Sequence, residues 1–274
     1  MSLGKDVRLR RLFNPTSGKI LVIALDHAIG WGVVPGLEDM QTTVAKIVEA
    51  QPDAITMLKG TAEKVFRPFA GTVPFIMKAT TFSPYQPAYD TAVATVDEAV
   101  RLGADAVAIG CTVCGDRQQE LLSQLGEFVH QAGLVGYPTV THIYPKGNLI
   151  GKEDWYKEEH VTYAARAGAE LGVDIIKTFY TGDPTSFARV VRATPASLVV
   201  SGGPKLPSLQ HVFQMTYEAM QAGAVGVTYG RNVWQADDPV AVVQALKHII
   251  HGGGTVDEAL DLAGERVSVS DQQG

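Results

Sequence analysis

One lysine lies inside an apolar segment of the chain and has the clearest chemical potential. The segment Gly172–Tyr180 is typical of a buried parallel strand, and Lys177 lies within it. An ammonium group there is costly unless it is paired, or unless its pKa falls until the amine is neutral. A neutral amine in a dry pocket attacks a sugar ketone and forms a Schiff base. The alternative is a lysine at a strand end whose ammonium group reaches solvent.

Four other lysines compete for this role. Lys59, Lys78, Lys146 and Lys205 follow apolar segments rather than lying within them, so we expect their ammonium groups to remain hydrated. Only desolvation lowers the pKa of an amine strongly. The sequence therefore favours Lys177 as the nucleophile.

Acidic and phenolic side chains also follow apolar segments. Asp26 and His27 come directly after the first segment, and Tyr144 comes at the end of the fifth. Because the fifth strand would neighbour the strand of Lys177, Tyr144 could bring a phenol within reach of a Schiff base. The alternative for Asp26 is that it caps a loop beside a solvated His27. The alternative for Tyr144 is that its ring packs in the core and its hydroxyl has a structural hydrogen-bond partner.

Two glycine turns follow the last two apolar segments. Ser201–Gly203 comes after the seventh and Gly230–Arg231 after the eighth. Backbone N–H groups at such turns can close on a phosphate, with added charge from Arg231 or Lys205. The alternative is that these glycines only make tight turns between strand and helix.

The elements that must position these residues alternate along the whole chain. Eight apolar segments of five to seven residues, rich in Val, Ile and Ala, are each followed by a helical pattern. The predicted strands are Lys19–Leu25, Asp53–Leu58, Val73–Met77, Asp105–Ile109, Pro138–Ile143, Val173–Phe179, Ser197–Ser201 and Ala224–Tyr229. The predicted helices are Met40–Ala50, Thr61–Pro68, Tyr89–Leu102, Arg117–Ala132, Tyr156–Leu171, Pro184–Ala193, Leu209–Gln221 and Pro239–His251.

Helix ends are marked by glycines and by Asp-Pro pairs. The glycines that follow predicted last turns are Gly103, Gly133, Gly172 and Gly223, and Asp183-Pro184 and Asp238-Pro239 stand at predicted starts. Eight alternating units predict an α/β fold of the (β/α)8 TIM barrel type rather than a doubly wound sheet, since no G-x-G-x-x-G follows the first strand. We expect residues 1–274 to form a single barrel domain with a short helical N-terminal extension near Arg8–Phe13.

The composition is that of a globular enzyme rather than of a nucleic-acid-binding or membrane-surface protein. The 274 residues are 46% hydrophobic and 19% charged, as is ordinary for a globular enzyme, and the formal net charge is −6. An acidic chain argues against a nucleic-acid or anionic-membrane surface. No apolar run of 18 residues and no secretory signal is visible, which predicts a cytoplasmic protein.

The two cysteines, Cys111 and Cys114, form an isolated C-x-x-C pair. Without a second pair or a nearby histidine, a zinc site lacks ligands. A redox pair is one interpretation, and the favoured one is two small apolar residues beside a strand end.

An ordered set of motifs resembles a known family. In chain order they are Arg8-Leu9-x-Arg11-Leu12-Phe13, Leu25-Asp26-His27, Tyr144-Pro145-Lys146-Gly147, Asp174-Ile175-Ile176-Lys177-Thr178 and Ser201-Gly202-Gly203-Pro204. The set resembles the archaeal-type class I fructose-bisphosphate aldolases, a family that includes 2-amino-3,7-dideoxyheptulosonate synthase and the phosphorylated-autoinducer thiolase. The resemblance extends from about Arg8 to Glu265.

The resemblance implies roles for individual residues. Lys177 matches the Schiff-base lysine, Tyr144 the general acid/base, and Asp26 the aspartate that handles a substrate hydroxyl or proton. The residues implied in substrate and phosphate binding are His27, Lys146, Ser201, Gly202, Gly203, Gly230 and Arg231. The resemblance also implies that no metal and no cofactor is needed, and that the chain forms a homo-oligomer.

Two departures from the family pattern lie at the mouth of the predicted barrel. Ala28 follows Asp26-His27 where the family usually has glycine, and Lys146 stands where the family has arginine. A lysine does not reproduce the bidentate fork of a guanidinium, so these changes bear on the choice of substrate more than on the class of reaction.

These observations predict a Schiff-base aldolase that cleaves or forms a C–C bond in a phosphorylated ketose. The first candidate substrate is fructose 1,6-bisphosphate, which would give dihydroxyacetone phosphate and glyceraldehyde 3-phosphate. The alternative is a transaldolase-like synthase or an acyl-transferring thiolase that uses the same lysine. A barrel that binds a sugar phosphate without turnover is the third hypothesis.

Overall fold

Eight parallel strands close into a barrel in the computed structural model, which describes residues 2–265. The strands in chain order are β1 (Ile20–Ala24), β2 (Ala54–Leu58), β3 (Phe75–Lys78), β4 (Thr80–Ser83), β5 (Gln86–Ala92), β6 (Ala106–Thr112), β7 (Thr139–Tyr144), β8 (Ile175–Thr178), β9 (Ser197–Ser201) and β10 (Gly226–Tyr229). The barrel runs β1-β2-β3-β6-β7-β8-β9-β10 and returns to β1, so the predicted (β/α)8 barrel is confirmed.

Helices connect the strands and surround the barrel. They are α1 (Leu3–Leu12), α2 (Ala28–Trp31), α3 (Met40–Glu49), α4 (Lys59–Thr61), α5 (Val96–Arg101), α6 (Gln118–Leu134), α7 (Glu158–Glu170), α8 (Pro184–Ala193), α9 (Leu209–Gln221), α10 (Arg231–Trp234), α11 (Pro239–Gly252) and α12 (Val256–Leu262). A π-helical turn (Ala62–Phe66) and two 3-10 turns (Arg67–Phe69 and Lys152–Asp154) complete the set. Asp183 and Asp238 cap α8 and α11 as predicted, each accepting from two backbone N–H groups.

The predicted end of one helix is wrong by two residues. Gly133 lies inside α6, which continues to Leu134, and Gly136 (φ +65°) takes the left-handed conformation after it. At Gly103 and Gly172 the left-handed φ values of +69° and +85° agree with the predicted ends of α5 and α7. A helix tolerates an interior glycine at a modest cost, so its position alone does not define the end.

Side chains alternate between the inside of the barrel and the surrounding helices. The interior layer at the N-terminal half of the barrel is apolar and consists of Leu12, Ile20, Val22, Ala54, Ile76, Ala106, Ala108, Val140, Ile175 and Val199. Leu12 comes from α1, so this N-terminal helix closes the floor of the barrel. Its basic residues form ion pairs there, with Lys5 lying 2.9 Å from Asp174. The floor is therefore dry and packed, and chemistry is confined to the opposite end.

A β-hairpin replaces the first half of a predicted helix. The segment Tyr89–Leu102 was expected to be helical, but β4 and β5 pair antiparallel and α5 begins only at Val96. Thr95 and Glu98 form a capping box that defines this start. The apolar spacing before Thr95 imitates a helical period, while the same residues serve equally well in a short strand.

One glycine allows the first and last strands of the barrel to meet, and we expect Gly226→Ala to destabilise the fold. An added Cβ would lie 1.8 Å from the carbonyl oxygen of Ile20 on the paired strand. Such overpacking should lower the free energy of unfolding in urea by about 2–3 kcal/mol. At Gly60 an added Cβ meets nothing within 4 Å, so Gly60→Ala should stay within about 1 kcal/mol of the unmodified protein. Equal stability of the two variants would contradict this prediction.

Candidate functional site

A cavity of about 640 Å³ opens at the C-terminal end of the barrel strands. All ten residues singled out from the sequence line it: Asp26, His27, Tyr144, Lys146, Lys177, Ser201, Gly202, Gly203, Gly230 and Arg231. They come from five different strand ends, as chemistry in this fold requires. Aromatic side chains complete the wall, among them Trp31, Phe82, Trp155, Tyr156 and Phe179.

Lys177 faces the inside of the barrel. It lies two residues after Ile175 of the interior layer, and residues two apart on a strand share a face. The residue is only 6% exposed, so its ammonium group is largely removed from water. Burial, assisted by the charges of Lys78, Lys146 and Arg231, lowers the pKa of Lys177 from 10.5 to about 8, against the opposing effect of Asp26.

The phenol of Tyr144 extends over the strand that carries Lys177. Its hydroxyl donates to Oγ of Ser201 at 3.2 Å, and these two residues end β7 and β9, which flank β8. His142 and Val199 are the register partners of Lys177, so Tyr144 and Ser201 lie one layer nearer the mouth. Burial raises the pKa of the Tyr144 phenol, which remains protonated at neutral pH.

Asp26 stands between two histidines at the end of β1. Its carboxylate oxygens lie 3.6 Å from Nδ1 of His27 and 3.9 Å from Nδ1 of His142. Burial lowers the pKa of His27 to about 4 and holds the pKa of His142 well below its usual range. Both imidazoles are therefore neutral at pH 7, and Asp26 has no cationic histidine beside it.

The two glycine turns are fixed to each other by side chains of the turn after β10. Arg231 donates to the carbonyl of Gly203 at 2.8 Å, and the buried Asn232 donates to the carbonyl of Gly202 at 2.8 Å. Gly203 is left-handed (φ +64°), and an added Cβ at Gly202 would lie 2.9 Å from the ring of Tyr229. The glycines therefore permit both the turn and the close packing.

The sequence reasoning missed a buried lysine and aspartate in the cavity wall. Lys78 was expected to be hydrated, but it lies within β3, is 5% exposed and donates to Oγ1 of Thr80 at 3.0 Å. Asp90 of the hairpin is also 5% exposed, and an added Cβ at Gly110 would overlap its carboxylate. Lys78 lies two residues after inward-facing Ile76, a signal that the sequence contained.

Of the other three lysines, Lys146 departs from the expected hydration, whereas Lys59 and Lys205 remain accessible to solvent. Lys146 is not fully hydrated: its ammonium lies 4.2 Å from the centre of the Phe82 ring, and burial lowers its pKa. Lys205 does not supply charge to the cavity but donates to the carbonyl of Gln235 at 2.8 Å. Lys59 is paired with Glu98 at 2.6 Å. Five basic side chains (Lys78, Lys146, Lys152, Lys177 and Arg231) thus share the cavity wall with two carboxylates (Asp26 and Asp90).

The cysteines are free thiols, with Cys111 buried in β6 and Cys114 just beyond it. Burial raises the pKa of both thiols, to about 12 for Cys111, which disfavours the reactive thiolate. Within residues 2–265 no cluster of three metal-ligating side chains is found. Over the same range, no helix has the length and apolarity that crossing a membrane requires.

Comparisons with known proteins identify the family of this chain. The model of the family described as DeoC/LacD family aldolase matches residues 20–236. The 2-amino-3,7-dideoxy-D-threo-hept-6-ulosonate synthase of Halobacterium salinarum is 32% identical and is covered over 97% of its length by 95% of this chain. The 3-hydroxy-5-phosphonooxypentane-2,4-dione thiolase of Escherichia coli is 31% identical, with 94% of this chain and 86% of that protein covered.

A solved structure shares the fold over nearly the same extent. It is an archaeal fructose-1,6-bisphosphate aldolase whose catalytic lysine is covalently bound to the carbinolamine intermediate of its substrate. The two chains are 29% identical, with a TM-score of 0.83 and coverage of 90% of this chain and 100% of the other. Since the family model spans most of the barrel and these relatives align along nearly the whole chain, the protein belongs to the DeoC/LacD family of aldolases.

Proposed function

We propose that this protein is a class I aldolase that acts on a phosphorylated ketose through a Schiff base on Lys177. The observation that carries the proposal is the position of this amine, which is buried inside the barrel, faces a 640 Å³ cavity and has a pKa lowered to about 8. A lysine of this kind is a nucleophile near neutral pH, whereas an exposed lysine is protonated.

The neighbouring groups supply proton transfer. Lys177 attacks the ketone carbon, and Tyr144, protonated and lying over its strand, donates to the carbinolamine oxygen as water leaves. The resulting iminium accepts the electron pair of the C–C bond as it breaks. Asp26 takes the proton of the hydroxyl on the carbon that departs as the aldehyde.

The far end of the cavity suits a phosphate. The turns Ser201–Gly203 and Gly230–Arg231 offer backbone N–H groups, and Arg231 adds a cation beside them. Binding energy at this end would orient the reacting carbon against Lys177. Fructose 1,6-bisphosphate is our first candidate substrate, because cations also line the opposite wall at Lys78 and Lys146, and because a structural neighbour is a fructose-1,6-bisphosphate aldolase.

Reductive trapping tests the proposal directly. Borohydride added with fructose 1,6-bisphosphate, or with other members of a panel of ketose phosphates, should leave a stable mass adduct on Lys177, located by peptide mass spectrometry. An active enzyme with unmodified Lys177 would refute the mechanism. A phosphate-dependent rise in melting temperature without any adduct or turnover would instead support the non-catalytic barrel.

A second candidate keeps the lysine but changes the chemistry. The synthase and the thiolase among the relatives favour this candidate, since each is about as similar to this chain as the aldolase is. A transaldolase-like synthase would pass a three-carbon unit to an aldehyde acceptor, and a thiolase would pass an acyl group to coenzyme A. Product analysis with and without acceptor distinguishes them, and efficient cleavage of fructose 1,6-bisphosphate alone would dismiss both.

We also propose that the enzyme is a cytoplasmic homo-oligomer that uses neither metal nor cofactor. The proposal follows from the motifs shared with class I aldolases. Light scattering should give a mass of at least twice the chain mass, and a chelator should leave turnover unchanged. A monomer at assay concentration would contradict the first expectation, and loss of turnover with chelator the second.

The pKa of Lys177 predicts the pH dependence of Schiff-base formation. With a pKa of about 8, roughly a tenth of the amine is neutral at pH 7, and the neutral fraction rises with pH. The rate of adduct formation in rapid-quench experiments should therefore rise about tenfold from pH 6 to pH 7 and level off above pH 8. A rise that continues to pH 10 would show that the amine is not perturbed.

A further inference from the structure

His142 is a cavity residue to which neither the motifs nor the proposed mechanism assigns a role. It lies on β7 beside Lys177, as its register partner on the neighbouring strand, and is 7% exposed. Its Nδ1 lies 3.9 Å from Oδ2 of Asp26. An imidazole that burial keeps neutral thus lies on the strand beside the nucleophile and near the proposed base.

The surroundings of the ring indicate which nitrogen carries the proton. Nε2 is buried and has no hydrogen-bond partner among residues 2–265. A buried N–H without an acceptor is rarer than an acceptor with an unused lone pair. The carboxylate of Asp26 lies on the Nδ1 side of the ring and, as an acceptor, favours a proton on Nδ1. Both arguments assign the Nδ1–H tautomer, so that His142 presents one N–H toward Asp26.

The gap between these two groups matches a substrate hydroxyl. At 3.9 Å the imidazole and the carboxylate are too far apart for a direct hydrogen bond. A substrate oxygen that lies to one side of the line from Nδ1 of His142 to Oδ2 of Asp26 can be about 2.8 Å from both atoms. That distance is within the normal range for a hydrogen bond. A hydroxyl there donates to the carboxylate of Asp26 and accepts from the N–H of His142. A ketone oxygen cannot donate to the carboxylate, so the pair discriminates in favour of a hydroxyl.

We propose that His142 is a catalytic residue which, with Asp26, holds the hydroxyl of the substrate carbon that departs as the aldehyde. This inference rests on the proposed function. As the C–C bond breaks, its electron pair moves to the iminium on Lys177, the hydroxyl proton passes to Asp26, and the oxygen becomes a carbonyl. The N–H of His142 remains bonded to that oxygen while negative charge develops on it, as donors in an oxyanion hole do. In the reverse direction the same N–H binds the carbonyl of the incoming aldehyde.

A matched pair of variants tests this role. Leu and Asn are nearly isosteric, but the Asn amide keeps a donor close to the position of Nδ1. Cleavage of fructose 1,6-bisphosphate should fall about 10²-fold in His142→Leu and at most about tenfold in His142→Asn. Both variants should still form the borohydride-trapped adduct on Lys177 with dihydroxyacetone phosphate, which also shows that they are folded.

Hydrogen exchange separates the proposed role from a structural one. Dihydroxyacetone phosphate lacks the carbon that departs as the aldehyde and therefore lacks the hydroxyl on that carbon, yet its enamine still exchanges a hydrogen of the carbon at the cleaved bond with D2O. That exchange, followed by NMR, should change less than about threefold in either variant. The inference would be overturned if the rate of hydrogen exchange fell in parallel with the rate of cleavage. It would also be overturned if His142→Leu and His142→Asn cleaved the substrate at equal rates.

The outcomes also separate this inference from the proposed function. If the unmodified enzyme gives no adduct with any ketose phosphate of the panel, the proposed function fails and the inference fails with it. If it gives the adduct but cleaves no hydroxylated ketose phosphate, the lysine nucleophile stands and the role of His142 is overturned.

Discussion

Lys177→Met should abolish Schiff-base turnover and leave the barrel folded. The thioether side chain fills a similar volume without an amine, so no carbinolamine can form and no adduct is trapped. Activity should fall to the level of the uncatalysed reaction, because each later step requires the iminium. The measurement is cleavage of the ketose phosphate together with intact-protein mass after borohydride.

The same substitution should make the protein as stable or more stable. Burial lowers the pKa of Lys177 in the folded chain to about 8, against 10.5 in water, so at neutral pH folding forces a charged amine into a dry site. The corresponding penalty is up to about 3 kcal/mol. Between pH 8 and 10.5 the unfolded chain binds the proton and the folded chain does not, so the stability of the unmodified protein rises with pH there. The gain in the free energy of unfolding from Lys177→Met is therefore largest at and below pH 8 and disappears near pH 10.5.

Lys78→Met is the matched control, because Lys78 also lies in the cavity wall and is only 5% exposed. Its adduct should still form on Lys177. Since the charge of Lys78 helps to lower the pKa of Lys177, the pH profile of adduct formation should move to higher pH. An adduct that disappears in Lys78→Met but persists in Lys177→Met would show that the nucleophile has been assigned to the wrong lysine.

Tyr144→Phe should slow turnover by about 10²–10⁴ while some adduct still forms. The ring packs on Phe179 with centroids 4.5 Å apart, and this contact survives the substitution. Only the hydroxyl is lost, and with it the proton donor for carbinolamine collapse and the hydrogen bond to Ser201. Single-turnover kinetics should show slow formation of the iminium rather than weaker binding.

Tyr180→Phe provides a control in a neighbouring tyrosine. Its hydroxyl donates to Glu218 at 2.8 Å, on the helix side of the barrel wall rather than in the cavity. Turnover of this variant should stay within a few-fold of the unmodified enzyme. If Tyr144→Phe retained full activity, the phenol would have no part in proton transfer, and the role would pass to another group in the cavity.

The hairpin explains why part of the site could not be predicted. Asp90 enters the cavity only because β4 and β5 turn back over the barrel mouth, a local arrangement whose apolar spacing resembles a helix. The capping box at Thr95 was present in the sequence and does mark where α5 begins. His142 was not singled out, although it lies two residues before Tyr144 and therefore shares its face of β7. Its distance to Asp26 depends on how the strands close into the barrel.

What the sequence alone determined is the order of the eight barrel strands and the inventory of chemical groups. Eight apolar segments alternating with amphipathic ones have few ways to bury their apolar surface, and a closed barrel is one of them. What only the tertiary structure decided is which groups meet. The gap between Asp26 and His142 and the hydrogen bond from Tyr144 to Ser201 join residues more than 50 positions apart, and strand register sets these distances. Local sequence carries periodicity, whereas distances across a barrel depend on how all eight strands close.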